Sequence, residues 1–411
     1  MKTILITAYA VNPYKGSEDG SGWNFIKQAA RFNKVIAITR QNNAPDIERY
    51  IKENPEKCFE NLKFKYFDLP YWMRFWKRKN RGALLYFYLW QMALPNFIKK
   101  EKTDFDIVHN LNFHNDWTPT FLHKLGKPLV WGPVEHHPPI PKEFIRNVYG
   151  FSPWLIDRLY DFTKNFLRRY NPAIRKAYKK AEIVIAGHSG VLNKLPVKVK
   201  RIEMMSLVGA DVPPTVSKKK KDGFTVISIG RFVPLKGFDI TVKAFARFYN
   251  RLPDEKRKKT TLELVGKGAL KDYLVKLGKD SGLGESLKIT EWMPANELTK
   301  KYNEADVFLF PSHEGAGMVV VEALSFGLPV ICFDNNGPGE IVNDKCAFKV
   351  RAGDYDSTVE TFAGYLTTLY ENRNLRKKMS DEAKKTFLEN YYWNKKGEKL
   401  RDWYNSLTIE K

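Results

Sequence analysis

Short apolar runs rich in valine and isoleucine alternate with amphipathic stretches along the first half of the chain. An apolar run of strand length, bounded by turn residues and followed by a helical pattern, is typical of a buried parallel strand. The alternation therefore predicts a parallel sheet wound with helices. The runs in this half are TILITAYA, KVIAITR, FDIVHNL, PLVWGPV and AEIVIAGH.

The same alternation restarts after an irregular patch, SLVGADVPPTVSKKKKDG, whose prolines and lysine run indicate a linker. The later runs are FTVISIGRF, TTLELVGKG, LKITEWM, DVFLFPS and PVICFD. We expect an α/β chain of two doubly wound, Rossmann-like domains that face a cleft, with ligands outside the carboxyl ends of the strands. The predicted boundaries are 1–205 and 224–390 for the domains, 206–223 for the linker and 391–411 for a last helix.

Composition restricts the cellular context and the class of protein. The 411 residues are 43% hydrophobic, which is enough for two cores. The opening MKTILITAYAVNP lacks a small-residue cleavage site and is better interpreted as a first strand than as a signal peptide. Three cysteines at unrelated spacings favour neither a disulfide framework nor a zinc site. We therefore expect a cytoplasmic protein in a reducing compartment.

The formal net charge of +23 is concentrated in two segments. Residues 63–102 carry ten Lys or Arg among many aromatics, and residues 164–180 carry seven bases and no acid. The first segment suits a helix pair at an anionic membrane surface, which would make the protein peripheral to the inner face of the cell membrane. It equally suits a basic face over an ordinary core helix. Nucleic acid is the third interpretation, but no recognition motif supports it.

Two cations follow the strand in SIGRFVPLKGFD. Gly230 ends the strand, and Arg231 and Lys236 lie on the loop that leads to the next helix, with Gly237 behind them. Cations at a strand-to-helix loop are well placed to hold a diphosphate. A pair of ordinary surface bases is the alternative.

Two glutamates flank the glycine-rich turn in PSHEGAGMVVVEALSFG. Glu314 precedes a helix predicted to begin near Gly317, and Glu322 lies about a turn and a half inside it. The helix start offers free amides and a partial positive charge to a phosphate. Glu322 can then accept both hydroxyls of a ribose, while Glu314 lies near the group on the far phosphate. The pattern predicts a carboxylate at each end of a nucleotide sugar; a capping acid plus a surface acid is the alternative.

Taken together, these motifs resemble the retaining family 4 glycosyltransferases (group 1) of the GT-B fold. The resemblance is dense from about residue 224 to 345, where LELVGKGAL and ITEWMPANEL also fit in order and spacing. It extends to FDIVHNLNF and WGPV in the first domain, and NPYKGSEDGSGWNF resembles the first loop of a polysaccharide-building branch. The final segment resembles the helix that crosses back to the first domain.

The resemblance implies a role for each matching residue. Arg231 and Lys236 would contact the donor diphosphate, Glu314 the donor sugar, and Glu322 the ribose. Backbone around Glu291 to Met293 would receive the nucleobase, with Gly266 on the same side and Gly16 approaching from the other domain. The implied donor contacts are Gly16, Gly230, Arg231, Lys236, Gly266, Glu291, Trp292, Met293, Glu314, Gly315, Ala316, Gly317, Met318 and Glu322.

Histidines of the first domain are further candidates. His109 ends the strand FDIVH, where the family commonly has a histidine that contacts the sugar, and His114 lies a turn further on. We expect His109 to be catalytic together with Glu314, Arg231 and Lys236. Glu135, His136 and His137 stand where such relatives usually have glycines. They could contact an acceptor, form a general-base site or make a polar loop.

The implied reaction moves a sugar from a UDP- or GDP-sugar to a saccharide or lipid-linked acceptor, with retention and without metal or cofactor. Asp-x-Asp occurs at 104–106 and 354–356, but this metal motif belongs to another glycosyltransferase architecture. A sugar-nucleotide 2-epimerase of the same fold and a non-catalytic, membrane-associated binding protein remain alternatives.

Overall fold

A computed structural model of the chain describes residues 1–77, 81–111, 115–214, 222–291 and 293–408. The described strands form two parallel sheets, which confirms the predicted α/β class. The chain divides into two compact units. The first contains 1–136, 162–208 and 393–411; the second contains 137–161 and 209–392.

The first unit has seven strands in the order β3-β2-β1-β4-β5-β6-β7, and the second has six in the order β10-β9-β8-β11-β12-β13. Parallel neighbours need crossover connections, and the helices between the strands supply them. The strands are β1 Thr3–Thr7, β2 Lys34–Thr39, β3 Leu62–Tyr66, β4 Ile107–Asn110, β5 Leu129–Val134, β6 Ile183–Ala186, β7 Ile202–Met204, β8 Phe224–Ile229, β9 Thr260–Val265, β10 Leu287–Thr290, β11 Val307–Phe310, β12 Val330–Phe333 and β13 Ala347–Val350.

The helices cover the sheet faces and close the crossovers. They are α1 Ser17–Ala30, α2 Ala44–Glu53, α3 Ala83–Lys100, α4 Lys142–Tyr149, α5 Phe151–Tyr170, α6 Pro172–Lys180, α7 Ser189–Leu192, α8 Phe238–Asn250, α9 Asp254–Arg257, α10 Lys271–Asp280, α11 Ala295–Glu304, α12 Met318–Ser325, α13 Pro338–Ile341, α14 Tyr355–Glu371, α15 Arg373–Asn390 and α16 Trp393–Ser406.

Three strands have no counterpart among the predicted apolar runs: β3, β7 and β13. Each lies at the edge of its sheet, where one side of the strand has no neighbour and the apolar pattern is weak. In β3 the sequence LKFKY is exposed or half-buried throughout, and β7 has only three residues.

Residues 137–161 lie in the second unit, although the sequence prediction placed them in the first domain. Phe144 and Ile145 of α4 are buried in the core of the second unit, together with Phe238 and Phe333. The Tyr149 and Tyr355 hydroxyls both donate to the buried Asp239 carboxylate at 2.6 Å. Helix α16 lies in the first unit, where Trp393, Leu400 and Tyr404 are buried.

The described residues of the basic segment 63–102 form one α-helix, where the sequence analysis expected a helix pair. They comprise β3, a short 3-10 turn at Tyr71–Met73 and helix α3. One face of α3 is buried, with Tyr86, Phe87 and Trp90 in the core. The exposed aromatics lie ahead of the helix, at Tyr71, Trp72 and Phe75. Within the described part of the chain, no helix combines the length and apolar character needed to cross a bilayer.

Candidate functional site

The second unit places Glu314 on the loop between β11 and α12. The helix begins at Met318, with Gly317 as its N-cap, as predicted. The backbone amide of Glu314 donates to the Ser312 hydroxyl at 3.4 Å, and the Asn335 amide donates to the Ser312 carbonyl at 2.8 Å. These bonds hold the loop at the carboxyl end of the sheet.

The two carboxylate oxygens of Glu314 have different surroundings. Its Oε2 forms an ion pair with Lys236 Nζ, while its Oε1 is buried and has no hydrogen-bond partner among the described residues. Burial raises the pKa of this carboxyl, and Lys236 and Arg231 act in the opposite direction. A buried acceptor without a donor is costly, so this oxygen is well suited to accept a hydrogen bond from a ligand hydroxyl.

The loop after β8 carries the two predicted cations. Arg231 is exposed and Lys236 is half-buried, with its ammonium 5.2 Å from the centre of the Phe310 ring. Gly237 has a φ of +65°, and a Cβ there would lie 2.0 Å from the Pro311 carbonyl oxygen. Only glycine fits this position. It allows the chain to enter α8 directly behind Lys236, and thereby orients the lysine towards Glu314.

Gly230 and Gly266 directly follow the neighbouring strands β8 and β9 and touch. A Cβ on Gly266 would lie 1.8 Å from the Gly230 carbonyl oxygen, and the Gly266 amide donates to the Thr290 carbonyl at 2.8 Å. Their role is to bring the backbones together at the carboxyl edge of the second sheet.

Glu322 is a half-buried side chain in α12. Its Oε2 accepts a hydrogen bond from the Tyr302 hydroxyl at 2.8 Å, and burial raises its pKa while Tyr302 lowers it. Tyr302 is stacked on Phe326, with ring centres 4.9 Å apart. The sequence prediction missed Tyr302, since a tyrosine in an amphipathic helix is usually a core residue and gives no separate signal.

His137 is exposed and lies in the second unit beside Glu314. Its Nδ1 accepts a hydrogen bond from the Gly315 backbone amide at 3.2 Å, so the neutral ring carries its proton on Nε2. One amide predicted to bind the donor is thus bonded to this imidazole. No sequence spacing could show that contact, because His137 and Gly315 are 178 positions apart.

The remaining residues predicted to contact the donor are distributed over both units. Gly16 is the exposed N-cap of α1 in the first unit. Glu291 is exposed and pairs with Lys271, Met293 is half-buried, and Trp292 lies outside the described residues. Ala316, Gly317 and Met318 continue the loop into α12.

The structure corrects the assignment of His109 as a sugar-contacting residue. Its side chain is fully buried in the first unit. Nδ1 lies 2.6 Å from the Tyr404 hydroxyl and Nε2 lies 2.7 Å from the Gly132 carbonyl oxygen. Burial lowers its pKa to about 4, so the ring is neutral and ties α16 to the sheet. The alternative residue, His114, lies outside the described part of the chain.

Glu135 and His136 are also buried in the first unit, at 2% and 5% exposure. His136 Nδ1 lies 3.0 Å from Asp116 Oδ2 and 3.1 Å from Arg168 Nη1, and Arg168 pairs with Asp116 at 2.6 Å. The ion-pair network gives His136 a structural role, and the burial of Glu135 and His136 argues against contact of these two residues with an acceptor.

The Asp-x-Asp segments have structural roles too. Asp106 accepts from the Thr3 amide at 2.7 Å. Asp354 caps α14, and Asp356 pairs with Arg247 at 2.6 Å.

Comparison with solved structures defines the class of fold. HepE from Anabaena in complex with UDP superposes with a TM-score of 0.66 and 16% identity, covering 99% of this chain and 100% of that one. Sucrose-phosphate synthase from Thermosynechococcus elongatus gives a TM-score of 0.69 and 16% identity, covering 98% of each chain. At this identity the likeness shows the fold alone, which is the two-domain GT-B fold.

Sequence comparison relates the second half of the chain to a known family. Residues 214–386 match the family of glycosyl transferases group 1. A GDP-mannose-dependent alpha-(1-6)-phosphatidylinositol monomannoside mannosyltransferase of Mycolicibacterium smegmatis is 30% identical over 185 residues, 43% of this chain and 46% of that protein. The lipopolysaccharide core biosynthesis glycosyltransferase LpsE of Rhizobium meliloti is 30% identical over 193 residues, 46% of this chain and 51% of that protein. The chain therefore spans about half the length of these relatives.

Proposed function

We propose that the protein transfers a glycosyl group from a nucleoside diphosphate sugar to a saccharide or lipid-linked saccharide acceptor, with retention at the anomeric carbon. The observation that carries the proposal is the half-buried Glu314, whose Oε2 pairs with Lys236 and whose Oε1 is buried and has no hydrogen-bond partner in the described chain. A donor sugar hydroxyl would supply the missing hydrogen bond.

Charge accumulates on the diphosphate as the glycosidic bond breaks, so the main task of the site is to stabilise that charge. Arg231 and Lys236 follow β8, and the amino end of α12 adds a partial positive charge. Such preorganised donors lower a barrier more than flexible ones, because they do not reorganise during the reaction. Lys236 would be shared between Glu314 and the diphosphate.

The nucleoside would occupy the side of the site that Glu322 faces. Tyr302 fixes one oxygen of this carboxylate, which orients the group to accept from ribose hydroxyls. Backbone near Glu291 would receive the base. The relatives include a GDP-mannose-dependent enzyme, and the structural neighbours include a UDP complex, so both nucleotides belong in the test.

His137 adds a constraint to the donor complex. Because its Nδ1 accepts from the Gly315 amide, a phosphate or sugar oxygen that takes this amide would have to displace the imidazole. The protonated Nε2 could then donate to the incoming group. We expect His137→Ala to change donor affinity rather than stability.

The experiment is a panel of UDP- and GDP-sugars tested by thermal shift, followed by measurement of nucleoside diphosphate release with acceptor. Glu314→Gln should lower kcat about 10²- to 10³-fold. Glu297→Gln, an exposed glutamate on α11, is the matched control and should be neutral. Full transfer by Glu314→Gln would refute the proposal, and an altered sugar nucleotide released without acceptor would favour the epimerase hypothesis instead.

A further inference from the structure

A cluster of charged and aromatic side chains lies at the carboxyl edge of the first sheet. Tyr9, Arg40 and Asp68 follow the neighbouring strands β1, β2 and β3. The guanidinium of Arg40 lies 4.8 Å from the ring centre of Tyr9 and 5.3 Å from that of Tyr86. In open parallel sheets, ligands bind outside this edge. The cluster therefore occupies a position where the first unit can hold a ligand.

Asp68 is the carboxylate of this cluster, and its side chain is 2% exposed. Its Oδ1 pairs with Arg40 Nε at 3.1 Å and accepts a hydrogen bond from the Tyr86 hydroxyl at 2.5 Å. Its Oδ2 accepts a hydrogen bond from the Gln41 backbone amide at 3.2 Å. Both oxygens thus have hydrogen-bond donors inside the first unit. Asp68 holds Arg40 in place, and its single negative charge balances one cation.

Arg74 and Lys77 bring further positive charge to the same place. Arg74 Nη1 lies 3.9 Å from Asp68 Oδ2, which is too far for a hydrogen bond. The Nε of Arg74 is buried and has no hydrogen-bond partner among the described residues. Lys77 Nζ lies 5.2 Å from the ring centre of Tyr86. Burial lowers the pKa of this ammonium, Arg40 and Arg74 lower it further, and Asp68 acts in the opposite direction. Three cations therefore share one carboxylate, and the cluster keeps an excess of positive charge.

A phosphate group complements this excess. A phosphate monoester carries about two negative charges at neutral pH, which matches the two cations that Asp68 does not balance. Arginine binds phosphate through its planar fork, and lysine adds a point charge. The Arg74 side chain is 36% exposed and so is within reach of a ligand. The exposed Tyr71, Trp72 and Phe75 belong to the same segment, and aromatic side chains are common where a ligand such as a sugar is held.

We propose that Arg40, Arg74 and Lys77 bind a phosphate group carried by the saccharide acceptor. The donor diphosphate is assigned to Arg231 and Lys236 of the second unit, so these cations of the first unit would serve the other substrate. Two classes of acceptor carry such a group: a sugar phosphate monoester, and a saccharide linked to a lipid through a diphosphate. The inference rests on the proposed glycosyl transfer and specifies its acceptor.

The test measures the binding of four compounds to the full chain by titration calorimetry: glucose, glucose 6-phosphate, decyl glucoside and glucosyl decyl diphosphate. The wild-type protein should bind at least one phosphorylated compound about tenfold or more tightly than its phosphate-free counterpart. The first pair reports on a monoester and the second pair on a lipid-linked diphosphate. Equal affinity within both pairs would overturn the proposal.

Arg74→Gln combined with Lys77→Gln should remove this preference, whereas Arg74→Lys combined with Lys77→Arg should keep most of it. The matched control combines Lys99→Gln and Lys100→Gln, which removes the same charge from exposed residues at the end of α3, and should bind like wild type. An equal loss in this control would overturn the proposal, because net charge alone would then explain the effect. Thermal unfolding shows whether the double variant folds, and Lys77→Gln alone provides the same comparison if it does not.

Measurement of the donor separates this inference from the proposed function. The Arg74 and Lys77 double variant should keep wild-type thermal shifts with UDP- and GDP-sugars, since Arg231 and Lys236 are unchanged. If it also releases nucleoside diphosphate like wild type with every acceptor, the phosphate site is refuted and glycosyl transfer stands. If no donor and acceptor give release even with the wild-type protein, glycosyl transfer is refuted, and calorimetry still decides on the phosphate site.

Discussion

Replacing His109 with alanine should destabilise the first unit rather than remove a catalytic group. The substitution leaves the Tyr404 hydroxyl and the Gly132 carbonyl without their partner inside a buried region. An unsatisfied buried group costs about 1–3 kcal/mol, and the cavity left by the ring adds to this. We expect a loss of about 3–5 kcal/mol in unfolding free energy.

The pH dependence of the unfolding free energy gives a second, independent measure of the structural role of His109. The pKa of His109 falls from its ordinary value of 6.5 to about 4 in the fold. The unfolded chain therefore binds the proton more readily, and stability is lost as the pH falls from 6.5 to 4. At 1.36 kcal/mol per pH unit this amounts to about 3 kcal/mol. His109→Phe should lack this part of the acid sensitivity.

The assay is equilibrium unfolding in urea at pH 7 and pH 4 for wild type, His109→Ala, His109→Phe and Tyr404→Phe. Tyr404→Phe removes one of the two hydrogen bonds and should cost less than His109→Ala. Nucleotide binding, measured by thermal shift, should survive in every variant that folds. If His109→Ala unfolds at the wild-type urea concentration but loses sugar transfer, the structural role assigned here is wrong.

Three further predictions concern single groups. Gly237→Ala should cost at least about 1–2 kcal/mol of stability, measured by thermal unfolding, because the residue has a left-handed φ and its Cβ would collide with Pro311. Tyr302→Phe should weaken donor binding about tenfold in titration calorimetry, since Glu322 loses the hydroxyl that orients it. Burial lowers the pKa of Lys396 from 10.5 to about 7, so the unfolded chain binds this proton more tightly than the folded one. The free energy of unfolding in urea should therefore rise from pH 7 to pH 10, and Lys396→Met should lack this rise.

Each of these has its own control. Gly353→Ala, where a Cβ would meet nothing within 4 Å, should leave thermal stability nearly unchanged. Equal effects at Gly237 and Gly353 would contradict the steric explanation. Lys395→Met changes a half-exposed neighbour and should keep the wild-type pH profile. Donor binding by Tyr302→Phe at wild-type affinity would show that Glu322 needs no orienting partner.

The sequence alone determined the fold class and the central strands. Buried parallel strands must be apolar on both faces, so their runs are visible without any tertiary information. The sequence also places Arg231, Lys236 and Glu314 on loops that follow β8 and β11, and the topology brings these strand ends to one edge of the sheet. Their contacts with a donor, and that of Glu322 in α12, stay predictions.

Only the tertiary structure decided the contacts between segments that are distant in the sequence. His109 ends a strand, which is the position expected of a catalytic histidine, and its burial under Tyr404 gives it a structural role instead. His137 follows a strand of the first unit, yet packing of α4 in the second core brings it to Gly315. Arg168 faces inwards because Asp116 is there to receive it. The local pattern of apolar and polar residues determines strands and helices, because each has its own side-chain period. Burial and ion pairing instead depend on residues that are distant in the sequence.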